Sequence, residues 1–124
     1  MEATSFNHQE NAMNLKLEKI NDFSVLTIQD ERIDAHNSGE LKEYLLQMIE
    51  GGEKQIIVQL EHVRFIDSSG LGALLSGNKH IVAKSGKLAL ANVQKQVLSM
   101  FELTRLNRVF DMYADLNEAL SRED

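Results

Sequence analysis

The residues of this sequence that could take part in chemistry are concentrated in one short segment, Asp67-Ser68-Ser69-Gly70. A serine hydroxyl can act as a nucleophile or accept a phosphoryl group. Aspartate and serine also cap the amino termini of helices, and a loop between a strand and a helix often ends in such residues. One capping side chain is enough for one helix, so the two adjacent serines exceed what capping requires.

The helix predicted after this segment is unusually rich in glycine. Gly70, Gly72 and Gly77 lie within it, and each costs up to about 1 kcal/mol relative to alanine in a helix interior. Glycine is useful where another backbone or a partner must approach closely. The glycines therefore indicate close packing or docking along this helix, which capping alone does not explain.

Other reactive arrangements are missing or incomplete. The sequence has no cysteine, and no two of its histidines, His8, His36, His62 and His80, have the i, i+4 spacing of a zinc site. A phosphate-binding Gly-x-x-x-x-Gly-Lys motif is also missing, so no cofactor is expected. A small hydrolase using Ser68 is an alternative, but the preceding glycine of a Gly-x-Ser-x-Gly nucleophile elbow is lacking.

The composition limits the class of protein. The chain has 124 residues, of which 43% are hydrophobic and 26% charged, which fits one globular domain with a core of its own. A net charge of −6 argues against nucleic-acid binding, which depends on basic residues that neutralise phosphates. No apolar run is long enough to span a bilayer or to form a secretory signal. We therefore expect a cytoplasmic protein without direct membrane insertion.

Two strands are predicted ahead of the first helix, after a flexible polar leader over residues 1–12. Residues 15–18 alternate between apolar and charged, which is the period of a half-buried strand. Residues 23–28 form a second apolar strand, and Asn21-Asp22 between the two predicts a hairpin. The domain is assigned to residues 13–124.

The first helix is the clearest element. Asn37, followed three residues later by Glu40, predicts a capping pair at its start, and Gly51-Gly52 ends it. Its apolar face has helical spacing and consists of Leu41, Tyr44, Leu45, Met48 and Ile49. Residues 55–60 are apolar on both faces, which is typical of a central strand.

The remainder of the chain continues this alternation. An apolar stretch at 63–66 is followed by the serine segment and a helix that ends at Ser85-Gly86. A strand is then predicted at 87–90, a helix at 94–103 and a short strand at 109–113. The last helix is capped by Asp115 with Glu118. The apolar residues near the third helix favour core positions over an exposed docking strip: Phe101, Leu103, Leu106 and Phe110. The order predicts an α/β domain with a mixed, mainly parallel sheet of about five strands and about four helices.

In this setting, residues 66–75, Ile-Asp-Ser-Ser-Gly-Leu-Gly-Ala-Leu-Leu, resemble the signature of STAS domains, specifically of bacterial anti-sigma factor antagonists. The resemblance covers roughly residues 13–120. It includes the order of elements, the segment Arg32-Ile33-Asp34-Ala35 before the first helix, and Gly86-Lys87-Leu88 at the start of a strand. The motif is specific because it follows an apolar strand within this order.

The resemblance implies a phosphorylation-controlled switch and not an enzyme. In that family the serine directly after the aspartate, here Ser68, is phosphorylated by an anti-sigma factor that is also a serine kinase. The unphosphorylated antagonist binds the anti-sigma factor and releases the sigma factor, and a phosphoserine phosphatase resets the system. Ser69 is the alternative acceptor, because the residues alone leave the two hydroxyls nearly equal. The expected partner-binding residues are Asp34, Asp67, Ser69, Gly70 and Gly72.

Each of these residues also has a structural interpretation. Asp34 suits a turn on its own, and Asp67 could orient the serine hydroxyl or cap the helix. Because they have no side chains, Gly70 and Gly72 would let the active site of a kinase approach this surface closely. The second functional hypothesis is a free-standing STAS subunit of a membrane transport system, in which the serine would dock or cap without being phosphorylated.

Overall fold

The main sheet is mixed, with an antiparallel edge and parallel strands beyond it. The computed structural model describes residues 7–8 and 13–122. In chain order the strands are β1 (Asn7–His8), β2 (Leu15–Ile20), β3 (Phe23–Ile28), β4 (Arg32–Ile33), β5 (Gln55–Gln59), β6 (Phe65–Ile66), β7 (Lys87–Ala91) and β8 (Asp111–Tyr113). The helices are α1 (Ser38–Glu50), α2 (Ser68–Ala83), α3 (Lys95–Leu103) and α4 (Leu116–Leu120), and a 3₁₀ turn covers Leu106–Arg108.

The strand order confirms the predicted α/β architecture. The sheet runs β1-β2-β3-β5-β7-β8, and the contacts from β3 to β8 are all parallel. The hairpin of β2 and β3 is antiparallel and turns at Asn21-Asp22, where Asn21 has a φ of 56°. β1 pairs with β2. Apart from this strand, the leader predicted over residues 1–12 lies outside the described residues, so its flexibility stays a prediction.

The two faces of the sheet are buried differently. The larger core lies under α1, α2 and α3 and includes Leu26, Ile56 and Leu90. On the opposite face Ile57 packs in a smaller cluster with Ala119 of α4. This division follows from the alternation of side chains along each strand, and it explains why residues 55–60 are apolar on both sides.

The apolar residues near α3 divide between core and surface. Phe101 and Phe110 are buried and form an edge-to-face pair with ring centroids 5.6 Å apart. Leu106 is half-buried, whereas Leu103 is 79% exposed. The prediction of core positions is therefore confirmed for the two phenylalanines and wrong for Leu103, which is the last residue of α3 and is exposed.

The predicted capping pair of α1 is wrong in its contacts. Asn37 stands at the N-cap position, but its side chain makes no capping hydrogen bond; instead its amide nitrogen donates to the carbonyl oxygen of Arg32 at 2.9 Å. Glu40 accepts a hydrogen bond from the backbone N–H of Met13, 27 residues away, at 3.2 Å. Both side chains have partners outside the helix, and sequence spacing does not show such partners.

Candidate functional site

Two short parallel strands bring the candidate site together. β4 and β6 form a separate two-stranded sheet in which Ile33 lies opposite Ile66. The backbone N–H of Asp67 donates to the carbonyl oxygen of Ile33 at 3.1 Å. Because the strands are parallel and in register, Asp34 and Asp67, the residues that follow them, leave the same edge. The two predicted acidic residues are therefore neighbours in the fold, although they are far apart in the chain.

Asp67 is the N-cap of α2. Its Oδ1 accepts a hydrogen bond from the backbone N–H of Gly70 at 3.0 Å, and its backbone oxygen accepts from Leu71 at 3.0 Å. The N-cap backbone is extended, with φ −110° and ψ −174°, as expected for a residue that caps through its side chain. Of the two interpretations of Asp67, capping is the one that the contacts support.

Ser68 and Ser69 are the first two residues of α2, and both are exposed. Within the described part of the chain neither hydroxyl takes part in a hydrogen bond. The helix start is therefore stabilised by the aspartate while two hydroxyls face solvent. A transferring enzyme could reach either serine without breaking a contact of the fold.

The glycines of α2 do not share one role. Gly70 is buried, and a Cβ atom there would lie 2.6 Å from Cγ1 of Ile66 and 2.9 Å from the carbonyl oxygen of Ile33. Gly77 is likewise close to α1, since its Cβ would lie 2.9 Å from Cδ1 of Leu45. Gly72 is exposed, and nothing lies within 4 Å of the position a Cβ would take. Packing explains the first two glycines but not Gly72.

The buried position of Gly70 changes its predicted role. It was expected to lower the surface for a partner, but its missing side chain faces β4 and β6 inside the protein. Its function is to let α2 approach these strands closely and so to hold the serines at their edge. Gly72 lies two residues further along α2 and is exposed, so its role at a partner surface stays a prediction.

Asp34 is held within its own loop. Its Oδ1 accepts a hydrogen bond from the backbone N–H of His36 at 3.0 Å, and its Oδ2 lies 3.5 Å from Nε of Arg32. Its backbone N–H donates to Oδ1 of Asn37 at 2.9 Å. The Asp34 side chain is only 19% exposed. These contacts support the turn interpretation, and they leave little of the carboxylate for direct contact with a partner.

Two residues of this surface were not identified from the sequence. The guanidinium carbon of Arg32 lies 4.1 Å from the ring centroid of Phe65, which occupies the paired position on the neighbouring strand. The Phe65 residue is 41% exposed, and the Arg32 side chain is 61% exposed. Strands of two residues carry no readable period, so only the register of β4 and β6 reveals this pair.

A shallow cleft opens beside the Asp34 loop. The residues that line it are all polar or charged: Asp30, Glu31, Arg32, Asp34, His36 and Asn37. Burial raises the pKa of Asp30 above its usual range, and a hydrogen bond from the backbone N–H of Asn14 at 2.8 Å only partly offsets this effect. Asp30, Asp34 and Asp67 are thus partly buried or hydrogen-bonded inside the protein, whereas Glu31 is exposed.

The three histidines whose side chains the structure describes do not form a metal site. In residues 13–122 no three metal-ligating side chains lie together. His36 and His62 are exposed, and Nε2 of His80 lies 2.5 Å from Oε2 of Glu50 between α2 and α1. The side chain of His8 lies outside the described residues. The helices described for this chain are all too short or too polar to cross a bilayer.

Comparisons with known proteins agree on the family. A family model for the STAS domain matches residues 14–119. The anti-sigma F factor antagonist of Paenibacillus polymyxa is 28% identical over 111 residues, which cover 88% of this chain and 95% of that protein.

Two solved structures have the same fold. The Bacillus cell fate determinant SpoIIAA in its phosphorylated form has a TM-score of 0.67 at 24% identity, covering 87% of this chain and 97% of that one. A sulfate transporter family protein from Wolinella succinogenes has a TM-score of 0.72 at 18% identity, covering 82% of this chain and 84% of that one. At this identity the two structures establish the fold alone.

Proposed function

The chain belongs to the STAS family, and from this premise we propose that it is an anti-sigma factor antagonist switched by phosphorylation of Ser68. It is a regulatory binding protein and not an enzyme. In the proposed cycle the unphosphorylated protein binds a cytoplasmic anti-sigma factor that is also a serine kinase, and the sigma factor or another target is released. Phosphorylation ends this binding, and a phosphoserine phosphatase restores it.

One observation carries the proposal. The carboxylate of Asp67 caps α2 by itself, so the exposed hydroxyl of Ser68 has no structural duty at the helix start. A side chain in this position can be modified without loss of a fold contact. The name of the Paenibacillus polymyxa relative supports the choice of partner, and SpoIIAA is a protein of this fold that carries a phosphate.

A phosphate at Ser68 should leave the fold intact. It adds about −1.5 to −2 charges at neutral pH. The free N–H groups and the dipole of the α2 amino terminus favour such a charge by about 0.3 to 1 kcal/mol. The neighbouring carboxylate of Asp67 opposes it by like-charge repulsion. Because these contributions are of similar size, the main effect should fall on docking, where an unmatched buried charge costs several kcal/mol.

The choice of Ser68 over Ser69 rests on the family resemblance, because both serines are exposed at the start of α2. Ser69 and Gly72 are proposed to line the partner surface, and Asp34 and Asp67 to hold its shape. Gly70 is proposed to support this surface from inside the protein, where its close contact with Ile33 positions the start of α2.

The test is to incubate the full chain with ATP and an extract of its source cells, then to map phosphate by mass spectrometry. We expect phosphate on Ser68, its loss in Ser68→Ala, and its retention in Ser69→Ala. The modified protein should lose its kinase partner, and a phosphatase should restore binding. An unmodified chain that co-purifies with a transport protein would contradict the proposal and support the transport-subunit alternative.

A further inference from the structure

We propose that Arg32 and Phe65 form the anchor by which the unphosphorylated protein docks, and that the partner meets them with an apolar socket edged by a carboxylate. This inference rests on the proposed function and adds the recognition chemistry of the same surface. Its starting point is the stack itself, in which the guanidinium carbon lies 4.1 Å from the ring centroid. The stack spans β4 and β6, and β6 leads directly into Ser68.

Phe65 is exposed although it belongs to a strand. Its residue is 41% exposed, while Ile66, the next residue, is 1% exposed. The other large apolar residues exposed in the described chain, Val82, Leu103 and Val109, are aliphatic. Aromatic residues and arginine are enriched in protein interfaces, and an aromatic ring buries much area with few rotatable bonds. An exposed ring braced by an arginine is therefore suited to insertion into a socket.

The exposed charge of the stack itself is positive, although Glu31, the neighbour of Arg32 in the chain, is also exposed. The carboxylate of Asp67 is hydrogen-bonded to the backbone of α2, and the carboxylate of Asp34 is hydrogen-bonded inside its loop and 19% exposed. The side chain of Arg32 is 61% exposed. A partner that buries this stack must match a guanidinium, and a carboxylate does so with charge-assisted hydrogen bonds.

The same carboxylate of the partner would explain why phosphorylation of Ser68 ends binding. Ser68 lies three residues beyond Phe65 in the chain, at the exposed start of α2. A phosphate there would be brought against the acidic edge that pairs with Arg32. Like charges brought together in a desolvated interface are unfavourable. The partner's carboxylate would therefore attract Arg32 in the unphosphorylated protein and repel the phosphate in the phosphorylated protein.

Asp34 acts in this proposal as a positioning residue. Its Oδ2 lies 3.5 Å from Nε of Arg32, and its backbone N–H donates a hydrogen bond to Oδ1 of Asn37 at 2.9 Å. The carboxylate therefore helps to keep the guanidinium over the ring. An effect of Asp34 on binding should pass through Arg32, which a double substitution can detect.

The test measures dissociation constants for the unphosphorylated full chain and the purified kinase, isolated from source cells as the activity that phosphorylates Ser68. We expect Phe65→Ala and Arg32→Ala each to weaken binding about tenfold, and Arg32→Glu to weaken it further. Leu103→Ala and Arg108→Glu are matched controls, because both residues are exposed and lie toward the amino ends of the parallel strands. We expect both controls to bind within about twofold of the wild type.

Asp34→Asn should weaken binding in the wild-type background and change it little in the Arg32→Ala background. Phe65→Leu, which keeps an apolar side chain but loses the ring, should bind with an intermediate affinity. Thermal unfolding of every variant separates lost binding from lost folding. If Phe65→Ala unfolds, Phe65→Leu and Arg32→Glu carry the test.

Two results would overturn the anchor while leaving the proposed function standing. One is a folded Phe65→Ala variant that the kinase still phosphorylates at Ser68 and binds as tightly as the wild type. If Phe65→Ala unfolds, the same result for Phe65→Leu would overturn the anchor. The other is tighter binding of Arg32→Glu, which would mean a basic socket edge. If the wild type is neither bound nor phosphorylated by any kinase of its source cells, the proposed function fails first and the anchor fails with it.

Discussion

Two helices of this protein begin at a capping aspartate, and the two starts differ in what the following side chains do. At α4, Oδ1 of Asp115 accepts from the backbone N–H of Glu118 at 2.8 Å, and Oε1 of Glu118 accepts from the backbone N–H of Ala114 at 2.7 Å. Both polar side chains are used to stabilise the start of the helix. At α2, Asp67 caps Gly70 at 3.0 Å without a reciprocal partner.

The difference shows which polar residues the fold does not need. At α4 the aspartate and the glutamate complete each other much as in a capping box, except that Glu118 accepts from Ala114, the residue before the N-cap. At α2 the corresponding first turn holds Ser68 and Ser69, which are exposed and whose hydroxyls form no hydrogen bond in the described chain. The same type of helix start therefore uses both polar side chains for stability at α4 and, at α2, leaves two hydroxyls exposed where we propose that a partner docks.

The largest expected effect tests the packing that holds the α2 start in place. Gly70→Ala would bring a methyl group 2.6 Å from Ile66 and 2.9 Å from the carbonyl oxygen of Ile33. The backbone oxygen cannot move cheaply, so we expect the free energy of unfolding to fall by about 2 kcal/mol. Urea denaturation measures this. An unchanged midpoint would mean that α2 is not pressed against these strands.

The second prediction compares the two caps directly. Asp67→Ala and Asp115→Ala should each lower the free energy of unfolding by about 1 kcal/mol, because each removes the acceptor for a backbone N–H. Asp67→Asn is the matched control, since asparagine caps nearly as well, and it should change stability by only a few tenths of a kcal/mol. If Asp67→Ala were neutral, capping would not be the role of Asp67.

Gly72→Ala should have the opposite sign to Gly70→Ala. No atom lies within 4 Å of the position of the new methyl group, and alanine favours the helix by up to about 1 kcal/mol over glycine. We expect a gain in the denaturation midpoint together with weaker binding of the kinase. A stabilised variant that binds normally would remove Gly72 from the partner surface.

The smallest expected effect is that of the serines on stability. Ser68→Ala and Ser69→Ala should each change the free energy of unfolding by less than about 0.5 kcal/mol, as for surface positions without contacts. Glu118→Ala, which loses a hydrogen bond at the start of α4, should cost more than either. Equal losses in all three variants, measured by the same denaturation series, would erase the distinction between the two helix starts.

Much of this site could be predicted from local sequence. The strand, the aspartate cap and the glycine-rich helix are all readable in residues 63–77, because capping and helix propensity depend on neighbours in the chain. The same rules were misleading at Asn37, where capping spacing is present but the side chain reaches back to Arg32. Local spacing shows what a side chain is able to do, and the surrounding chain decides which partner it takes.

Glycine shows the same limit at α2. The sequence indicated that Gly70, Gly72 and Gly77 required close packing or a partner, and did not distinguish between them. The contacts assign Gly70 to β4 and β6 and Gly77 to Leu45 of α1, and leave Gly72 open to solvent. Proximity between segments thirty or more residues apart has no local signature.

The sequence by itself determined the order of the four helices and the five longer strands, the helix start at Asp67 and the presence of two serines beside it. These features follow from side-chain periodicity and from hydrogen bonds within one turn of chain. Only the tertiary structure decided that Arg32 lies over Phe65, that Asp34 is held within its loop, and that both serines are exposed. The reason is physical, because the register of two-residue strands is set by the packing of the whole sheet and its helices.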